Sequence, residues 1–553
     1  MPRSITRLFA LSILLVFGLV AGMSFTQSAL ATGSSPSVGM PPATGPDIDP
    51  AVAKACAKPP TTHQVAAEDC LLVRTVHVAP KPDKPLWEKL LPIGLLLIVI
   101  GIVVVRLPRV ELGHSRAFRH RRLLNWLVLG LTYSFLYMAR YNLNQYKYVG
   151  GLTESEFGTI FGWGSATYGI AFLLNGPLTD RWGGRTTILI AAGGSAITNL
   201  VMGYMIATCT TFGDPFRTML VLYCANMYFQ SFGAVSIVKV NGSWFHLRER
   251  GTFSGIFGVL ISLGLFFAYD GGKMITDALP QNLEWLFFIP AGILGLFFAL
   301  CWLFVRDTPS KAGLADFDLG DASTPDDGVK EGALAVVWRL LRNPIILTIA
   351  IIELCSGFLR QAILQWGRDF SSGIGLGDSF VIENWGVVSC IAGITGGIFA
   401  GAISDHLFQS RRGPVSAVLY SLMLVGALLI VPLLTWPAPI PWVVAFMSMA
   451  IIGVHGMLSG TASADFGGRR NTGVAVGIID GCVYGGSMIQ SFIYGAYLPE
   501  KLVVCADGTT RGNPAVKDIS NWTIWPVAML PVALIGFVLA LRLWNARAKP
   551  KSS

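Results

Sequence analysis

Two arginines stand inside apolar stretches of this 553-residue chain. Residues 123–144, LLNWLVLGLTYSFLYMARYNLN, are lipid-soluble except where Arg140 interrupts them. Residues 343–366, NPIILTIAIIELCSGFLRQAILQW, do the same with Arg360. A charge at that depth costs roughly 2.5–3.5 kcal/mol on insertion scales, so such residues usually face a protein interior or a water-filled cavity. Tyr133, Tyr137, Arg140 and Asn144 step by four, three and four, one polar stripe at helical spacing. A guanidinium stays charged at physiological pH and presents a planar fork for bidentate bonds to an anion. Two other readings stay open: an arginine snorkelling to the headgroups, and a structural arginine bonded to carbonyls or an acid. Glu353, two turns before Arg360 on the same face, is the obvious acid partner, or else lines the cavity.

The two stretches are placed alike. Arg140 follows Arg122, the last basic residue before its helix, by 18 residues, and Arg360 follows Arg342 by 18. Repeated halves carrying the same feature at the same depth mark a repeat-built transporter, with its site at the half–half interface near the membrane midplane.

The elements that must hold these residues are apolar helices. With 53% hydrophobic and 13% charged residues, the composition is that of a polytopic all-α membrane protein. Twelve apolar runs fall at about 123–147, 157–178, 187–208, 218–240, 253–275, 286–305, 343–366, 381–403, 414–435, 441–462, 473–495 and 523–543. They divide into six-helix halves, 123–305 and 339–545, joined by a polar cytoplasmic loop, 306–338, without apolar period. Residues 546–553 form a tail. Upstream, residues 1–31 read as a signal peptide, or an uncleaved anchor; 32–85 as a mostly disordered extracytoplasmic segment; 86–106 as an extra transmembrane helix. Six arginines from Arg106 to Arg122, and basic residues after every even-numbered run except the sixth's single Arg306, place those ends in the cytoplasm. The N-terminus is then extracytoplasmic and the C-terminus cytoplasmic. The same rule explains the net charge of +9 without nucleic acid. Nine cysteines contain no CxxC pair, and no metal or cofactor is expected; Cys209, Cys224, Cys301, Cys355, Cys390 and Cys482 read as small hydrophobes in or at the ends of helices. Cys56 and Cys70 are either a disulfide or two free thiols. Asp270 and Lys273 are expected to pair locally.

Gly176-Pro-Leu-Thr-Asp180-Arg181-Trp-Gly-Gly-Arg185 follows the second run, and Gly401-Ala-Ile-Ser-Asp405, with Arg411 and Arg412, follows the eighth. An acid at a tight glycine turn followed by arginine can lock helix ends in one conformation. The two copies resemble the cytoplasmic loop motif of the major facilitator superfamily. Within it, residues 120–545 resemble the organophosphate:phosphate antiporters, through Ala139-Arg140-Tyr141-Asn142, Tyr228-Phe-Gln230, Lys239, residues 244–251, the Arg306-Asp-Thr-Pro stretch to Leu314, Phe358-Leu-Arg360, Asp465 before Arg469-Arg470, and Tyr484-Gly-Gly486.

The resemblance implies a major facilitator fold in a bacterial cytoplasmic membrane, with Arg140 and Arg360 binding substrate phosphate. Tyr133, Tyr137, Tyr141, Asn144, Gln230, Glu353, His455 and Asp480 complete the candidate site; Gly176, Asp180, Arg181, Arg185, Asp405, Arg411 and Arg412 form the gating motif. Tyr141 stands where the family usually has a basic residue, Ile261 near an expected histidine and Cys390 near an expected acid, while His455 and Asp480 are additions. The function expected is exchange of a phosphate ester (glycerol phosphate, sugar phosphate or phosphoglycerate) for inorganic phosphate by alternating access. The alternative is a membrane sensor signalling through a partner kinase, since the family contains one. No nucleophile–base pair or metal constellation points to an enzyme.

Overall fold

The computed structural model describes residues 113–545, except 150, 212–213, 247–249, 280–281, 318–332, 409–411, 459–462 and 505–509, together with residues 91, 94–96 and 98–99. Side chains are not described at 250–257, 333–336, 401–402, 405–406, 412, 463–473, 503–504 and 510–511. The expected signal 1–31, the segment 32–85 and the tail 546–553 lie outside the described residues.

The first half runs α1 (Arg116–Tyr148), α2 (Glu154–Trp182), α3 (Gly184–Thr208), α4 (Pro215–Asn241), α5 (Arg250–Phe266, a π turn Phe267–Gly271, then Gly272–Ala278) and α6 (Trp285–Phe304). The second runs α7 (Pro344–Gln361, a π turn Ala362–Trp366, then Gly367–Gly373), α8 (Trp385–Ala402, then a π turn Ile403–Leu407), α9 (Arg412–Leu433), α10 (Ile440–His455), α11 (Ser463–Tyr497) and α12 (Ile524–Arg542). Ten of the described helices are long and apolar enough to cross a membrane; α8's apolar stretch is shorter. α1 is long but buries Asn125, Arg140, Asn142, Asn144, Gln145 and Lys147. Local signals start these helices: Ser115 caps α1, Thr153 and Glu156 form a capping box on α2, and Pro215 and Pro344 follow the caps Asp214 and Asn343.

The halves meet where α2 packs on α11 and α5 on α8. Gly158 and Gly495 bring the first pair to backbone contact: a Cβ at Gly158 would sit 2.7 Å from the Gly495 Cα. Within the second half, a Cβ at Gly357 would meet the Val483 carbonyl oxygen at 1.8 Å, and one at Gly486 the Leu354 oxygen at 1.9 Å. Small residues thus let α7 and α11 touch backbone to backbone, which sets Arg360 beside Tyr484.

Three expectations change. The linker is not wholly without period: a helix, Ala333–Leu341, begins inside it, and Leu340 packs on Ile346, Ala350 and Ile478. Asp270 and Lys273 do not pair with each other. Asp270 accepts from the Gly386 and Val387 amides at 3.0 and 2.8 Å, and Lys273 donates to the Glu383 carbonyl at 3.3 Å. The start of α8 has unsatisfied N–H groups and a positive dipole end, and the π turn aims Asp270 at them. Cys209 does lie at the end of α3, but it is disulfide-bonded and not a free small hydrophobe. Of the expected extra helix 86–106, the described residues are helical, and Leu96 packs against Val387, Cys390 and Ile394 of α8.

Candidate functional site

Arg140 is fully buried on α1, and each guanidinium nitrogen has a partner. Nε donates to Gln230 Oε1 at 2.8 Å, Nη2 to the Tyr168 hydroxyl at 3.1 Å, and Nη1 to the hydroxyl of Tyr484, which belongs to the other half. Its Cζ lies 4.4 Å from the ring centre of Tyr168 and 4.9 Å from that of Tyr137. A second layer orients the first: Gln230 donates to Ser195 and Asn226, and Tyr223 donates to the Arg140 carbonyl at 3.1 Å.

Arg360 differs. It is 5% exposed, yet its Nε and Nη2 are buried with no hydrogen-bond partner. Nε and Nη2 are one edge of the guanidinium, the edge that binds two oxygens side by side. Its Cζ lies 6.0 Å from the Tyr484 ring centre, and that of Arg140 5.6 Å from the same ring. One tyrosine thus stands between an arginine from each half, and one arginine presents an open fork. A buried cationic donor without an acceptor is costly.

The other expected residues separate into groups. Tyr133, Tyr137 and Tyr141 form a chain of rings on α1, with centroids 5.3 and 5.7 Å apart. The Tyr141 hydroxyl accepts from Gln361 Nε2 at 3.0 Å, a bond between the halves. Asn144 is buried with its amide nitrogen unpartnered. Glu353 is not the partner of Arg360: its Oε2 is 3.1 Å from His455 Nδ1 on α10. Asp480 is buried on α11.

The first copy of the expected gating motif is tied to neighbouring elements. Gly183 alone joins α2 to α3 at φ +86°, a left-handed conformation suited to glycine. Asp180 pairs with Lys239 at 2.7 Å. Arg185 donates its amide to Asp307 at 2.8 Å and its guanidinium to the Trp302 carbonyl at 2.5 Å. Asp307, from the Arg-Asp-Thr-Pro stretch, is therefore bonded to this turn. Arg181 is exposed, and Gly176 is buried in α2. In the second copy, the side chains of Asp405 and Arg412, and all of Arg411, lie outside what is described.

A further cluster went unseen in the sequence. At the end of the bundle opposite the arginine-rich loops, Lys147 of α1 pairs with Asp369 of α7, and Asp369 also holds Lys501 at 2.5 Å. Arg368 donates to Gln145 at 3.0 Å. Glu500 accepts from the Glu154 and Ser155 amides at 2.7 and 3.0 Å, and Lys501 donates its amide to Glu154 at 3.0 Å. Burial, then the neighbouring Glu154 carboxylate, pushes the Glu500 carboxyl up to about 9. Lys147 ended an apolar run, and that position was the one signal available. Tyr168 and Gln361 carried none.

A helical bundle in two six-helix halves that face each other is the architecture of a transporter superfamily. The Major Facilitator Superfamily model matches residues 122–491, and the chain belongs to that superfamily. It is 25% identical over 457 residues to the glycerol-3-phosphate transporter of Bacillus subtilis (strain 168), covering 78% of this chain and 94% of that one. It is 24% identical over 451 residues to the membrane sensor protein UhpC of Salmonella typhimurium, covering 76% and 91%. A probable hexose phosphate transport protein of Chlamydia pneumoniae is 23% identical over 436 residues, covering 72% and 85%. Among solved structures, the nucleoside transporter NupG matches with a TM-score of 0.52 at 14% identity, covering 76% of this chain and 98% of that one; this likeness concerns the fold alone. The chain is a multi-pass membrane protein of a transporter family, not an enzyme.

Proposed function

We propose that this chain carries an organic phosphate ester across the bacterial cytoplasmic membrane in exchange for inorganic phosphate. The observation that carries the reading is the open edge of Arg360, buried beside a tyrosine that is already bonded to Arg140. The anion docks on that edge and draws Arg140 to its far side, while Tyr137, Tyr141 and Gln230 hold the surroundings. The names of the relatives support a phosphate ester as cargo. The arginine-rich end faces the cytoplasm. The disulfide at Cys209, at the opposite end, supports this, because disulfides persist in oxidising compartments. The inter-half bonds around Asp369 and Glu500 then close the extracytoplasmic side. Purified protein in liposomes loaded with inorganic phosphate should exchange labelled phosphate, and glycerol 3-phosphate or a hexose phosphate should compete. No exchange with phosphate or any ester sinks the reading.

The likeness to a membrane sensor favours a second reading, in which the same arginines bind a phosphorylated metabolite and a partner kinase reads the conformation. Saturable binding by folded protein, with no exchange, would select it.

A further inference from the structure

Arg368 lies on α7 eight residues beyond Arg360. An uninterrupted α-helix would carry those residues past two turns, and the π turn Ala362–Trp366 takes up about one of them. Arg368 therefore stands on the same face of α7 as Arg360, roughly 10 Å further along at 1.5 Å per residue. α1 follows α7 over this stretch. Gln361 bonds to Tyr141, Arg368 to Gln145, and the hydroxyls of Ser372 and Tyr148 lie 3.3 Å apart.

Arg368 is a buried cation without an anion. It is 6% exposed. Its Nη1 donates to the neutral Gln145 amide at 3.0 Å, and its Cζ lies 3.7 Å from the ring centre of Tyr148. Its Nε is buried with no hydrogen-bond partner. No carboxylate among the described residues hydrogen-bonds to it. The acids near it are engaged elsewhere, Asp369 with Lys147 and Lys501, and Asp270 with the start of α8. Between the levels of the two arginines lie open amides. Gln361 Oε1, both polar atoms of the Gln365 side chain, and Asn144 Nδ2 are buried with no partner. Buried cations and amides left unpaired are costly.

A guanidinium matches an oxyanion, and an amide, donor and acceptor at once, matches a hydroxyl. The charge at the second arginine is limited. A second phosphate dianion would bring two charges to Arg368 beside Asp369, whereas a carboxylate brings one. We propose that Arg368 is a second anion-binding residue and that the cargo is a phosphorylated sugar acid. Its phosphate sits on Arg360, its hydroxyls on Asn144, Gln361 and Gln365, and its carboxylate on Arg368. The proposal rests on the reading that Arg360 holds the phosphate.

The test compares two open-chain esters that differ at one carbon. 6-Phosphogluconate ends in a carboxylate where glucitol 6-phosphate ends in a CH2OH group. Each, and inorganic phosphate, is titrated by calorimetry into purified full-length protein. Wild type should bind 6-phosphogluconate roughly ten-fold or more tighter than glucitol 6-phosphate, because one charge-assisted bond supports a decade. In monodisperse Arg368→Gln the ratio should fall to near one. Arg368→Lys keeps the charge and loses the fork, so its ratio should fall between the two; if Arg368→Gln does not fold, this variant makes the comparison. A purely structural Arg368 would shift both affinities together and leave the ratio as in wild type. Equal binding of the two esters by wild type, binding of inorganic phosphate alone, or a full preference kept in the folded variant overturns the proposal and leaves the phosphate reading standing. No binding of phosphate or of either ester removes the anion reading at Arg360, and the second site with it.

Discussion

At the residue scale the two arginines are unequal, although the sequence presents them as a matched pair. Arg140 is satisfied by Gln230, Tyr168 and Tyr484, whereas Arg360 keeps a free edge. Lysine at 360 keeps the charge and loses the fork. Bonds to a charged group are worth about 1.5–3 kcal/mol each, so Arg360→Lys should weaken phosphate binding roughly 10- to 150-fold. Arg140→Lys should also weaken binding, but it additionally leaves Gln230 and two phenols without their donor, so it should lower thermal stability as well. The double mutant should fall short of the summed losses, because one anion is shared. Titration of monodisperse protein with phosphate reads all three; near-normal affinity in folded Arg360→Lys removes the site.

At the element scale, the π turn Ala362–Trp366 directly follows Arg360. A π turn frees carbonyls from the helical ladder, and π bulges are frequent at functional sites. Here the freed groups are met from other helices. Trp525 donates to the Ala362 carbonyl at 2.9 Å; Trp385 and Tyr269 donate to that of Leu364 at 2.9 and 3.1 Å. Trp525 also stacks on Phe370, with centroids 4.6 Å apart. Trp525→Phe keeps a ring there and removes the donor, so it should destabilise by about 1–3 kcal/mol, the cost of a buried unsatisfied carbonyl. Thermal unfolding should show the loss, and phosphate should stabilise the variant less than wild type. Unchanged unfolding would mean that the turn holds without its indole bond.

At the scale of the whole molecule, each half caps the start of the other's second helix. Asp270, on α5 of the first half, accepts from the first amides of α8; Glu500, just after α11 of the second, accepts from the first amides of α2. α5 and α11 are equivalent in the repeat, as are α8 and α2, so the two clamps are related by the pseudo-symmetry of the halves. Lys147, Asp369 and Lys501 add a buried ion pair beside one of them. Asp369→Asn leaves the Lys147 ammonium without its anion and Lys501 with Glu154 alone at 3.8 Å, and breaking a buried pair typically costs about 3–5 kcal/mol. It should open this end, increasing the distance between labels on the two halves. The closure should also depend on pH. Glu500 has its acidity moved from the usual range up to about 9 by burial and by Glu154. Its contribution is therefore fully present below its unfolded-state range and is lost as pH rises through about 9. Glu500→Gln should abolish that alkaline opening; a closed end equally stable at pH 7 and pH 10 in wild type argues against it.

What the chain determined by itself was whatever could be read from local order. Periodic apolar runs placed the twelve helices, because burial in lipid requires about 20 apolar residues in sequence. The two arginines stood out for the same reason, since charge is rare at that depth. The family's loop motif was legible because Gly183 and Asp180 act within one turn. Tertiary structure decided what depends on which helices touch. Glu353 was set against His455 and not Arg360 because α10 packs beside α7. Asp270 went to α8 and not to Lys273, because a helix start offers bare amides that a neighbouring ammonium cannot match. The closed end escaped notice altogether: Lys147, Asp369 and Lys501 are distant in sequence, ordinary in type, and become one cluster only when the halves meet.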